Sequence, residues 1–81
     1  PMLGIQLAER GQVVYAPKVF SGGLAERVGI KDGDVIKSIN GASPETKEDA
    51  ANMLGLLNFG EEVSLIIQRA GKTEELRFTA M

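Results

Sequence analysis

The sequence predicts a small α+β domain. Five short strands form a twisted antiparallel sheet or open barrel, closed on one side by one main helix and carrying one short helix. Three observations predict it. Apolar residues alternate along several short runs, the period of a half-buried strand. A single segment, 46–57, carries the i, i+3, i+4, i+7 stripe of a helix. Gly and Pro punctuate the chain between these runs. No linker, low-complexity tract or repeat divides the 81 residues, so one domain is expected over 1–81.

The elements follow in order. Leu3, Ile5 and Leu7 alternate with Gly4 and Gln6, which predicts a strand ending at Ala8. Arg10-Gly11-Gln12 reads as a loop. Val13 to Phe20 is rich in β-branched and aromatic residues and reads as a second strand. Pro17 removes an amide donor there, which requires an edge position or a bulge. Leu24 to Val28 forms the short helix, with Gly29 placed for a left-handed cap and Ile30 placed to pack back. Asp34 to Ile39 is the third strand, ending at the turn dipeptide Asn40-Gly41. Thr46 caps the main helix, and Asp49 stands three positions on in a capping-box-like arrangement. Ala50, Met53, Leu54 and Leu57 make its apolar stripe. Gly55 weakens that helix and invites a packing or access explanation. Glu62 to Arg69 is the fourth strand, Ala70-Gly71-Lys72 a turn, and Thr73 to Thr79 the fifth strand.

Composition excludes several functions. There is no Cys and no His, which removes thiolate nucleophiles, disulfides, the common zinc ligand sets and the usual general base. Ser21, Ser38, Ser43 and Ser64 therefore have no histidine to activate them, and the domain is not expected to be an enzyme. Nine basic residues stand singly against eleven acidic ones, so nucleic acid is not an expected partner. No apolar run approaches the ~18 residues of a membrane span, so this segment is not expected to insert into a membrane. Asp32-Gly33-Asp34 lacks the continuing acidic ligands and final Glu of a calcium loop. No metal and no cofactor is expected.

The ordered motifs resemble a PDZ domain of the bacterial type, over nearly the whole chain. Met2-Leu3-Gly4-Ile5 resembles the family's carboxylate-binding loop. The run from Val19 through Leu24-Ala25-Glu26 and Gly29-Ile30-Lys31-Asp32-Gly33-Asp34-Val35-Ile36 is the most specific piece, and Ile39-Asn40-Gly41 follows at the family's spacing. Gly23-Leu24 departs from the Ser-Pro of many relatives. The motif order further resembles PDZ domains attached to HtrA-like serine proteases and to site-two or processing proteases, which implies an extracytoplasmic, periplasmic setting.

The resemblance implies a module that captures the free C-terminus of a protein partner by adding it as a strand, as part of a larger protease. The amides of Leu3, Gly4 and Ile5 would hold the carboxylate in a donor nest. Gln6, Leu7 and Ala8 of the strand and Lys47, Ala51 and Leu54 of the helix would line the groove. An apolar pocket from Leu3, Ile5 and Leu54 would select an apolar last residue. Lys47 would favour an acidic or hydroxyl residue further up the ligand. Helical spacing alone would place Leu54 in the core more often than in the groove, and would leave Lys47 a surface lysine. The alternative function is a structural or lid module whose groove is closed. The chain's own apolar end, Thr79-Ala80-Met81, is expected to dock weakly into a neighbouring molecule's groove at high concentration.

Overall fold

A computed structural model describes residues 4–58 and 60–80. Five strands form one antiparallel meander in the order β1-β2-β3-β4-β5. They are β1 (Ile5–Arg10), β2 (Val13–Val19), β3 (Asp34–Ile39), β4 (Glu62–Arg69) and β5 (Lys72–Thr79). Helix α1 (Leu24–Val28) lies between β2 and β3, and α2 (Lys47–Gly55) between β3 and β4. The architecture is the expected one.

The first strand reaches further than its alternation suggests. Arg10 pairs with Val13 across the turn at Gly11-Gln12, so Arg10 belongs to the hairpin ladder rather than to a loop. Pro17 sits in a bulge and not at an edge. Between the pairs Gln6↔Lys18 and Ala8↔Tyr15, β2 carries one residue more than β1, which leaves Ala16-Pro17 outside the regular ladder. The bulge places the prolyl nitrogen, which has no hydrogen to donate, where no ladder bond is needed. Beyond it the Val19 amide donates to the partner strand's side of the loop, onto Asp32 Oδ1 at 2.8 Å. The two ends of the β4–β5 hairpin also meet closer than expected: Lys72 pairs with Arg69, leaving Ala70-Gly71 as the turn.

Both helices are ended by local chemistry. Gly29 adopts φ +103, the left-handed conformation in which a side chain would crowd the backbone. Its amide donates to the Glu26 carbonyl and the Ile30 amide to the Ala25 carbonyl. This is the Schellman arrangement, and it buries Ile30 against the short helix. Thr46 Oγ1 accepts the Asp49 amide at 3.0 Å, while the Asp49 carboxylate accepts from Glu45, one residue before the cap. The reciprocal box is thus shifted by one residue. Helix α2 is shorter than its apolar stripe implies, because Leu56 is already its C-cap and Leu57 lies past its end. Gly55 is therefore the last helical residue and not its centre. Among the described residues, a Cβ there would meet nothing within 4 Å, so no packing demand from them explains it.

The core joins the inner face of the sheet to both helices. Val14, Ala16, Ile36, Ile39, Val63, Leu65 and Ile67 come from the strands. Leu24, Ala25, Ala50 and Leu54 come from the helices, with Ile30, Leu57 and Ala80 completing the cluster. Each large aliphatic side chain buried here contributes about 1.5–3 kcal/mol of transfer free energy. Asp34 is the buried charge in this set, at 1% exposure. Arg69 closes on it through Nε at 2.8 Å, and the Lys31 amide donates to it at 2.8 Å. The same guanidinium donates to the Gly29 carbonyl at 2.8 Å, tying the sheet to the cap of α1. Burial pushes the Asp34 carboxyl up, but the Arg69 and Lys31 hydrogen bonds and the nearby positive charges outweigh it and hold it below the ordinary value. Asp32 and Asp34 are thereby both engaged in holding strands and loops together.

Candidate functional site

The site follows from the sheet's topology. Among the described residues, strand β1 pairs on one side only, with β2. Its other edge faces α2 across a groove of about 340 Å³ lined by Ile5, Leu7, Lys47, Glu48 and Ala51. The carbonyl of Gly4 accepts the Phe20 amide at 2.8 Å, so that carbonyl is directed toward β2. Strand alternation then directs the peptide groups of Ile5, Leu7 and Glu9 toward the free edge. These are backbone donors and acceptors with no partner strand, beside an apolar floor made by the side chains of Ile5 and Leu7.

Gly4 begins the edge at φ +76. A Cβ built there would meet the Gly23 Cα at 3.1 Å. Both facts call for glycine: the left-handed backbone, and the close approach of the loop before α1. Phe20 stands beside this loop, 46% exposed, with the Lys18 ammonium 5.9 Å from its ring centroid.

The structure brings together Ile5, Leu7, Lys47 and Ala51 of the residues the sequence nominated. Gln6 and Ala8 project from the opposite face of β1, and Gln6 pairs with Lys18 there. Leu54 is 6% exposed and packs in the core cluster with Ala50 and Leu57. Met53 is half-buried against the same cluster. Leu3, the first residue nominated for carboxylate binding, lies outside the described residues, as do Met2 and Met81.

One groove residue and one residue that joins β1 to α2 escaped the sequence reading. Glu48 lines the groove beside Lys47, so the helix presents charges of both signs there. Its spacing of three from Ala51 puts the two on one helical face, a signal that was available. Glu9 reaches from β1 to α2, its Oε1 accepting the Lys47 amide at 3.0 Å. That contact joins positions 38 residues apart, and nothing local announces it. Among the described residues, no group of His, Cys, Asp and Glu could hold a metal ion. No helix there is long and apolar enough to cross a membrane.

Comparisons with known proteins agree on the family. The PDZ domain family model matches residues 1–79. A Brucella suis protein named "probable periplasmic serine endoprotease DegP-like" is 35% identical over 71 residues, covering 88% of this chain and 14% of that protein. The serine protease Do-like HtrB of Bacillus subtilis is 35% identical over 78 residues, covering 95% of this chain and 17% of that one. The chain thus spans only about a seventh of the first relative's length. Among solved structures, the HtrA-type protease AlgW with decapeptide matches with TM-score 0.83 at 22% identity, over 94% of this chain and 27% of that chain. A photosystem II D1 C-terminal processing protease matches with TM-score 0.76 at 23% identity, over 95% and 22% of the two chains. At such identities the structural matches establish the fold alone. The family model, the curated relatives and the five-stranded meander with its two helices lead to one conclusion: this chain belongs to the PDZ domain family.

Proposed function

We propose that this domain captures the free C-terminus of an extended protein segment with an apolar last residue, by strand addition to β1. One observation carries the reading: an unpaired strand edge borders a groove with an apolar floor, and a left-handed glycine stands at its start. Main-chain hydrogen bonds to Ile5 and Leu7 supply affinity without reading sequence. The side chains of Ile5, Leu7 and Ala51 select apolar ligand residues. The amides around Leu3, Gly4 and Ile5 receive the carboxylate, and the turn at Gly4 lets it approach closely. With Lys47 and Glu48 side by side, the helix gives little net preference for charge further up the ligand.

The relatives are serine proteases several times longer than this chain, and one solved neighbour carries a decapeptide. They support a place for this module in a larger extracytoplasmic protease, where it recognises substrates or regulates the protease. The open groove favours capture over the alternative of a lid or spacer with a filled groove. The test is a titration of a labelled peptide ending in Val beside its C-terminally amidated twin. The free acid is expected to bind at least tenfold more tightly. Equal binding of the two, or binding of neither, overturns the reading.

A further inference from the structure

Glu9 stands on β1 two residues beyond Leu7, just outside the residues that line the groove. It stands on the same face of β1 as Ile5 and Leu7, since alternate strand residues share a face and the extra residue of the bulge belongs to β2. Its Oε1 accepts the amide of Lys47, the first residue of α2, at 3.0 Å. The first amides of a helix have no acceptor within it. Thr46 satisfies that of Asp49, and Glu9 satisfies another from a different element. Its carboxylate also faces the positive end of the helix. Among the described residues, no other hydrogen bond joins α2 to β1.

The position gives this bond two consequences. Helix α2 is anchored in the core through Ala50 and Leu54, while its first turn is exposed, at Lys47, Glu48 and Asp49. Glu9 ties that exposed turn to the strand by a direct hydrogen bond. The bond also crosses from strand to helix two residues beyond Leu7, at Lys47 of the groove lining. From Ile5 to Glu9 an extended strand rises roughly 13 Å, a length matched by about five ligand residues.

We propose that Glu9 is a positioning residue for peptide capture: by tying the first turn of α2 to β1 it sets the width of the β1–α2 groove and closes it beyond the Leu7 row. This rests on the capture reading above. The experiment uses labelled peptides of three, five and ten residues, all ending in the same free-acid Val, against the wild-type domain, Glu9→Ala and Glu9→Gln. Wild-type affinity is expected to rise from three residues to five and stay within about twofold from five to ten. Glu9→Ala should weaken the five-residue peptide about fivefold, and Glu9→Gln, which keeps an acceptor oxygen, should recover most of that loss. Exchange of the Lys47 amide with solvent should speed up in Glu9→Ala and slow again in Glu9→Gln, while thermal melts confirm that all three remain folded. Wild-type binding with no change in Glu9→Ala, or an unchanged Lys47 exchange rate, overturns the inference and leaves capture standing. A wild-type domain that binds none of the peptides overturns capture and the inference together.

Discussion

The sheet has two free edges, β1 and β5, and they are built for opposite ends. Along β5, Lys72, Thr73, Glu74, Glu75, Arg77 and Thr79 are exposed. Several are held by neighbours: Glu75 accepts from the Ser64 hydroxyl at 2.6 Å and from Arg77 at 3.1 Å, and Glu74 from Arg69 at 3.3 Å. The Ser64 hydroxyl and the Arg77 guanidinium hold the Glu75 carboxyl below its ordinary value. A charged edge of this kind resists pairing with another strand. The β1 edge instead has Ile5 and Leu7 beside a groove and a helix across from it. Both edges expose the same backbone chemistry. The difference teaches that side chains and the opposing element decide which edge can take a partner.

The largest effect is expected between the two edges, at the clamp that joins β3 to β4. Asp34→Ala removes the acceptor that engages Arg69 and the Lys31 amide, and should cost about 3 kcal/mol in urea unfolding. Peptide capture by the fraction still folded should be unchanged, because neither Asp34 nor Arg69 lines the groove. The Asp34 carboxyl sits below its ordinary value in the folded state, so the unfolded chain binds its proton more readily. Its stabilisation is therefore complete above the ordinary Asp value and drains away as pH falls from there through the lower native value. Unfolding midpoints measured downward from neutral pH should fall less steeply in Asp34→Asn than in the wild type.

On the β1 side, Gly4→Ala should cost about 1–2 kcal/mol for the left-handed backbone alone. The contact with the Gly23 Cα at 3.1 Å adds to it. Calorimetric melts read that loss, and peptide titration should show capture abolished or severely weakened. A variant that melts lower yet binds normally would separate the loop at Gly4 from the ligand site.

Much of this contrast was legible in the sequence, and the illegible part has a common cause. Alternation located the first strand, because a sheet with one buried face imposes period two on its residues, and β-branched and aromatic content located the second. Thr46 and Gly29 marked helix ends, because caps are satisfied by residues a few positions away. Pro17 announced a bulge or an edge, and only the pairing on both sides of β2 decides for the bulge. The Asp34–Arg69 clamp and the Glu9–Lys47 bond join residues 35 and 38 positions apart, so no local pattern encodes them. Leu54 shows the same limit: one helical stripe serves core and groove, and tertiary packing sends Leu54 into the core.

The smallest effect belongs to the β4–β5 turn. Ala70 sits at φ +52, a conformation costly for a residue with a Cβ. Ala70→Gly should stabilise the domain by about 1 kcal/mol, read as a higher unfolding midpoint, and leave peptide affinity untouched. A change in affinity would mean that the two edges are coupled.

The most direct measurement of the central claim is residue-resolved amide hydrogen exchange, with and without a saturating free-acid peptide ending in Val. Strand addition at β1 predicts slowed exchange at Ile5 and Leu7, whose amides are directed to the free edge, with the amides of β5 unchanged. Protection along β5, or no added protection at Ile5 and Leu7 despite binding, would contradict the account.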